Sequence, residues 1–197
     1  MGEKLMTVEM FESECQTAAS VPCEIEGQDL SPIDDLVGQW WLVHTKSRQE
    51  KALAADLREL NIGVFLPLAR VRRHYGQRAL QVQIPLFPTY LFMCGDEDAR
   101  YATLMTHRAA QVIAVADQQR LKEELRQVHR VTASEHPVDL YPGLRKGRRC
   151  RITSGSLQGL EGVVIRRAGV CRVYLGVEVL SQSAELEIHP ELLEIID

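Results

Sequence analysis

Apolar and polar positions along the chain change rhythm at about two thirds of its length. Residues 40–45 read Trp, Trp, Leu, Val, His, Thr, a β-rich run that predicts a strand. Ser47-Arg48-Gln49-Glu50 then has the form of a capping box, with Ser47 as N-cap and Glu50 reaching back to its amide. Leu53, Leu57 and Leu60 follow at helical spacing, and Asn61 to Gly63 can stop that helix. Residues 64–75 and 78–85 read as the two strands of a hairpin around Tyr75-Gly76-Gln77, with Gly76 able to supply positive φ. Residues 88–94 predict a further strand. Asp96 or Glu97 opens a short helix with acids at its positive end. Residues 110–116 predict a strand, and 118–132 a helix with Leu121, Leu125 and Val128 on one face. This order predicts an α+β sandwich, an antiparallel sheet covered by helices. Residues 134–142 are polar, carry Pro137 and Pro142, and read as a linker. Beyond them the helical period disappears. Short strands at 149–153, 162–167, 172–180, 184–188 and 192–196 suit a small five-stranded β-barrel.

Charge adds a third region. The net charge of −4 conceals nine acids and one base within residues 1–36, ahead of a mildly basic remainder. Residues 1–37 are expected to form an acidic, disordered tail, because they lack the periodic apolar surface that would offset ordering entropy. The expected units are therefore 1–37 tail, 38–133 first domain, 134–142 linker and 143–197 second domain. No apolar run is long enough to predict a membrane span. No basic start leads into an apolar core, so a secretory signal is not expected. The five cysteines (Cys15, Cys23, Cys94, Cys150, Cys171) show no C-x-x-C spacing, which fits a reducing, cytoplasmic setting without disulfides or zinc.

Catalytic chemistry has no foothold. The chain has no G-x-S-x-G, P-loop, H-E-x-x-H or dinucleotide fingerprint, and its six histidines lack ligand spacing, so no enzyme activity, metal or cofactor is expected. Binding chemistry is better represented. The cluster in Pro85-Leu86-Phe87-Pro88-Thr89-Tyr90-Leu91-Phe92 is too aromatic to be all core. Along a strand, Phe87 and Tyr90 fall on one face only if Pro88 bends it. Basic residues gather in two places, Lys46, Arg48, Gln49 and Lys51 at the first helix, and Arg70, Arg72, Arg73, His74 and Arg78 on the hairpin. Arg and Gln bond both phosphates and base edges. A third run, Arg145, Lys146, Arg148, Arg149 and Arg151, opens the second domain. After it, Gly155 can take a left-handed turn, while Gly159 and Gly162 allow close backbone approach or a bulge.

Several segments together resemble the NusG family of transcription elongation factors, an NGN domain followed by a KOW domain. Trp41-Leu42-Val43-His44-Thr45 and the following helix are similar to the NGN start. Pro85-Leu86-Phe87-Pro88-Thr89-Tyr90-Leu91-Phe92 looks like the family's "FPGY" strand. Thr153-Ser154-Gly155-Ser156-Leu157-Gln158-Gly159-Leu160-Glu161-Gly162 looks like the KOW motif. The likeness covers residues 40–197. Thr89, where housekeeping members usually have Gly, and Tyr141-Pro142-Gly143 resemble the RfaH-like specialised paralogues more than housekeeping NusG.

The resemblance implies a monomeric, cytoplasmic factor that binds the β′ clamp helices of RNA polymerase and suppresses pausing. It assigns Trp41, Phe65, Pro67, Leu86, Phe87 and Tyr90 to the polymerase and Lys46, Arg48 and Gln49 to the non-template DNA strand, and the charge of the hairpin adds Arg72 and Arg73 as DNA-binding candidates. Arg100-Tyr101-Ala102-Thr103 falls near a loop that touches the β gate loop, without the RfaH-type threonine run. The KOW domain, with Gly155, Gly159 and Gly162, would recruit ribosomal protein NusE or Rho, and in some RfaH-like proteins it masks the NGN patch. The alternative is a KOW-type RNA-binding protein of translation or ribosome assembly, which the Arg145 to Arg151 run would serve.

Overall fold

A computed structural model describes residues 33–75, 78–134, 136–141, 147–167 and 170–196. The acidic stretch 1–32, the hairpin turn at Gly76 and Gln77, and residues 142–146 with Arg145 and Lys146 lie outside the described residues.

The N-terminal sheet is antiparallel, in the order β2 (Gly63–Phe65), β5 (Tyr90–Gly95), β1 (Gln39–Thr45) and β6 (Ala109–Ala114). Strand alternation sorts β1 between two cores: Trp40 and Leu42 face one, Trp41 and Val43 the other. The second core takes α1 (Glu50–Glu59) through Leu53, Ala54 and Leu57. α2 (Glu97–Met105) borders it through Ala99 and Leu104, after Asp96 caps the helix by accepting from Ala99 N–H at 2.9 Å. The first core takes α3 (Gln118–Ala133) through Leu121, Leu125, Val128 and Val131. Gln118 fixes the start of α3: its Oε1 accepts from Trp40 N–H at 2.7 Å and its Nε2 donates to Trp40 O at 2.9 Å.

The expected strand 64–75 is broken. Pro67, buried and without an N–H, separates β2 from β3 (Leu68–Tyr75), and its carbonyl accepts from Leu86 N–H at 2.8 Å. β3 and β4 (Arg78–Pro85) form a separate two-stranded ribbon. The expected strand 88–94 begins only at Tyr90, because Phe87-Pro88-Thr89 turns the chain and leaves Thr89 left-handed at φ 66°.

The C-terminal strands form one antiparallel sheet, β12 (Leu193–Ile195), β8 (Arg148–Ile152), β9 (Glu161–Arg167), β10 (Val170–Val177), β11 (Gln182–Ile188) and β7 (Val138–Tyr141). Five correspond to expected strands. The sixth, β7, corrects the linker reading: four residues of the expected linker pair with Ser183–Leu186, Val138 opposite Leu186. Among the described residues β12 and β7 do not pair, so the sheet has two edges where a closed barrel was expected.

The tail boundary also moves. Ile33 is buried and Leu36 packs against the first core. Asp34 accepts from Arg126 Nε at 2.8 Å and lies 3.6 Å from Lys122, so these residues are clipped to α3. The first core does not stop at the N-terminal domain: one cluster runs from Trp40, Phe87 and Phe92 through α3 to Cys150, Ile152, Leu157, Leu160, Val173 and Leu186.

Candidate partner-binding surfaces

The residues assigned to the polymerase divide between the two faces of the sheet. Trp41 belongs to the second core, donates from Nε1 to Gly95 O at 3.1 Å and carries the Arg100 guanidinium 5.9 Å over its ring. Phe65, Leu86 and Phe87 belong to the first core and are 3%, 2% and 0% exposed. Phe65 stacks on Phe92 and meets the His129 ring of α3 edge-on, with centroids 5.8 Å apart. Tyr90 alone of the set with an aromatic ring is half-buried, stacked on His44 at 5.0 Å. The expectation that this cluster is partly exposed is therefore met only at Tyr90; α3 and the C-terminal strands extend the core that holds Phe87.

The first basic set is arranged differently from the sequence expectation. Ser47 does not cap α1. Gln49 occupies the cap position, with no side-chain bond to the helix. Glu50 is 6% exposed and turns away from the helix start: its Oε1 accepts from Thr89 N–H at 2.7 Å, securing the turn before β5. Gln49 Oε1 accepts from Arg108 Nη1 at 2.6 Å, and Arg108 Nε pairs with Asp56 at 2.6 Å. Gln49 is thus committed within the protein, whereas Lys46 and Arg48 are exposed. Arg48 holds a left-handed φ of 60°, an unfavourable conformation for a long side chain.

On the ribbon, register separates residues adjacent in sequence. Arg72 stands opposite Gln81, and Arg73 stands opposite Leu80 on the other face. Both arginines are exposed. Lys51 Nζ donates to Gln83 O at 2.8 Å and ties the basic end of α1 to the ribbon's base.

Of the third basic run, Arg145 and Lys146 lie outside the described residues, and two of the rest share one carboxylate. Arg149 and Arg151 both pair with Glu161, at 3.2 and 2.6 Å, and the Arg151 hydrogen bond holds the Glu161 carboxyl below the ordinary range. Gly155 and Gly159 both take left-handed φ, 86° and 80°, with open space where a Cβ would stand. Gly159 is therefore a turn residue, correcting the close-approach expectation. Gly162 makes the close approach: a Cβ there would lie 2.8 Å from Tyr174 O. The loop between them inserts Leu157 and Leu160 into the shared core, and Arg130 of α3 donates to Gln158 O.

α3 is the bridge that the sequence pattern did not reveal. Beside the shared core, Arg120 pairs with Glu178 at 2.5 Å and Glu124 accepts from Glu178 N–H at 3.1 Å. A cleft of about 470 Å³ lies along this seam, lined on one side by Arg120, Glu124 and Gln127 and on the other by Gly162 and Tyr174. Burial raises the Glu124 carboxyl above its ordinary value. Burial also pushes the Cys150 thiol up to about 11, and Cys94 and Cys171 are likewise buried free thiols. Among the described residues no group of three metal-binding side chains comes together, and no helix is long and apolar enough to cross a membrane.

A search of curated proteins finds no match. A solved structure described as domain interaction in Thermotoga maritima NusG matches with a TM-score of 0.47 and 18% identity, covering 81% of this chain and 97% of that one. The family model described as transcription termination factor nusG matches residues 38–140. That span is more than half of the chain and takes in the whole four-stranded sheet, the ribbon and α3, so the chain belongs to the NusG family of transcription factors.

Proposed function

We propose that this protein is a transcription elongation and antitermination factor of the specialised, RfaH-like kind. Its NGN-type domain binds the β′ clamp helices of RNA polymerase through the face that carries Phe65, Pro67, Leu86, Phe87 and Tyr90, with Trp41 shaping it from behind. By binding one clamp state better than another, it suppresses pausing. Lys46, Arg48, Arg72 and Arg73 contact DNA as the polymerase exposes it, with Gln49 positioned by Arg108 behind them. The KOW-type domain recruits a second partner, ribosomal protein NusE or Rho, and so holds it at high local concentration beside the polymerase.

The single observation that carries this reading is the continuous core: the face that should meet the polymerase shares its apolar cluster with α3 and the C-terminal strands. This supports a covered polymerase surface in the free protein, opened on recruitment, as a specialised factor needs.

Affinity for core RNA polymerase, compared between the full chain and residues 38–137, tests it. Tighter binding by the fragment is expected. Equal binding removes the masking, leaving a constitutive factor. Binding by neither removes the polymerase reading altogether.

A further inference from the structure

The ribbon has more to offer than scattered charge. From Leu68 to Pro85 it contains no acidic residue. Register places Arg70 opposite Gln83 and Arg72 opposite Gln81. These four side chains therefore share one face, two Arg–Gln rows on neighbouring positions of the pleat. Arg70, Arg72 and Gln81 are exposed and Gln83 is half-buried. None makes a side-chain hydrogen bond or ion pair among the described residues. The opposite face is used: Ala69 is buried, and Val71 and Ile84 pack against the first core. The base of the ribbon thus stands on one face and presents the other, while nearer the turn Arg73 and Leu80 of the packed face are exposed.

We infer that this Arg–Gln face reads base edges in the major groove of duplex DNA. A two-stranded ribbon fits that groove, roughly 12 Å wide. Same-face positions on a strand lie about 6.8 Å apart, which matches two base-pair steps of about 3.4 Å each. Arg donates bidentately to guanine O6 and N7, and Gln pairs bidentately with adenine N6 and N7. The arginines lack acidic neighbours on the ribbon, so the surface is complementary to a polyanion. Unpaired strands are gripped by stacking on aromatic rings, and the described side chains of this face include none. Duplex RNA is a poor fit, because its major groove is too narrow for side chains to read. The inference rests on the proposed function only in taking nucleic acid as the ribbon's occupant.

The test is selection of binding sites by the full chain, without polymerase, from a randomised DNA duplex library, followed by fluorescence anisotropy. Enriched duplexes are expected to carry guanines two base-pair steps apart. The Arg70→Ala, Arg72→Ala pair should lose on the order of tenfold or more of the preference for the selected site over a scrambled duplex. Arg70→Lys, Arg72→Lys should lose the preference while retaining the salt dependence, because lysine keeps the charge without the fork. Arg73→Ala, on the other face, should weaken binding to the selected and the scrambled duplex alike, as loss of a phosphate contact does, and so leave their ratio unchanged. The inference is overturned if no sequence is enriched, if Arg73→Ala abolishes the preference as fully as the arginine pair, or if single strands or duplex RNA bind as tightly. Preference without polymerase affinity would sink the proposed function and leave the ribbon's role standing; the reverse would sink the ribbon alone.

Discussion

Phe65→Ala discriminates most sharply between an open and a covered polymerase surface. The ring is 3% exposed, stacked on Phe92 and capped edge-on by His129 of α3. Truncating so buried a phenylalanine removes its transfer energy and leaves a cavity, at a cost of about 3–5 kcal/mol. That is a large share of the roughly 5–15 kcal/mol that holds a domain together. For a chain of this size it corresponds to a fall in Tm of roughly 6–20 °C. Tyr90→Ala is the paired control. Its half-buried ring stacks only on His44 among the described rings, and aromatic pairs contribute about 0.5–1.5 kcal/mol beyond their area. Tyr90→Ala should therefore weaken polymerase binding at a much smaller cost to the fold.

Urea unfolding followed by tryptophan fluorescence reads both effects, since the chain's only tryptophans, Trp40 and Trp41, lie buried side by side on β1. A Phe65→Ala loss below about 1 kcal/mol, on the scale of a surface substitution, would refute the reasoning. It would mean that the ring is not packed in solution and that the face stands open. Equal losses for Phe65→Ala and Tyr90→Ala would refute it equally.

Other expectations follow from single contacts. Thr89→Gly should raise stability by up to about 1 kcal/mol, because a left-handed φ strains a β-branched residue more than glycine's extra chain entropy costs; a loss in urea unfolding would contradict this. Glu50→Ala should cost about 1–3 kcal/mol by leaving the Thr89 amide unpaired, whereas Glu50→Gln should keep most of the bond; equal losses would exclude the hydrogen bond as the cause. Glu124 should give stability a descending limb with pH. Burial raises its folded pKa above 4.5, so its contribution is greatest below that value and is lost as pH rises through the raised one; Glu124→Gln should flatten that limb in denaturation measured across acidic pH, while the Glu161 and Asp34 contributions, whose pKa values are lowered, weaken as pH falls.

Period and punctuation made most elements legible. Trp40 to Thr45, the Leu121 face and the five C-terminal strands all carried local signals that the packing agrees with. What escaped were features in which a tertiary partner overrides a local rule. The Ser47 to Glu50 capping box was plausible on spacing, but Glu50 secures the Thr89 amide 39 residues away, and no local pattern announces that bond. Residues 138–141 looked like linker because two prolines flank them, yet strand β11 offered an edge and β7 filled it. The role of α3 was hidden for the same reason: one apolar stripe cannot reveal that both a sheet and a second domain share it. The aromatic cluster stands out in the sequence, but whether a ring serves core or surface depends on what packs over it.

Salt should leave the seam nearly unchanged and weaken binding at the ribbon. The seam's polar rim consists of exposed or half-exposed groups, Arg120 with Glu178 and Arg130 with Gln158 O, and such pairs contribute about 0–1 kcal/mol each and are screened by salt. Between them lies the apolar cluster that includes Val128, Val131, Leu157 and Leu160, whose burial does not depend on screening. Closure is therefore carried by apolar burial, and hydrogen-exchange protection of α3 should change little between about 50 and 200 mM salt. Binding to DNA has the opposite origin. If Lys46, Arg48, Lys51 and Arg73 together neutralise about four phosphates while Arg70 and Arg72 read base edges, the same increase in salt should weaken binding roughly a hundredfold. Both quantities can be measured on one sample of the full chain. Loss of α3 protection in step with loss of DNA would mean that charge, not apolar burial, holds the two domains together, and Phe65 and Phe87 would then owe their cover to a contact that physiological salt can open.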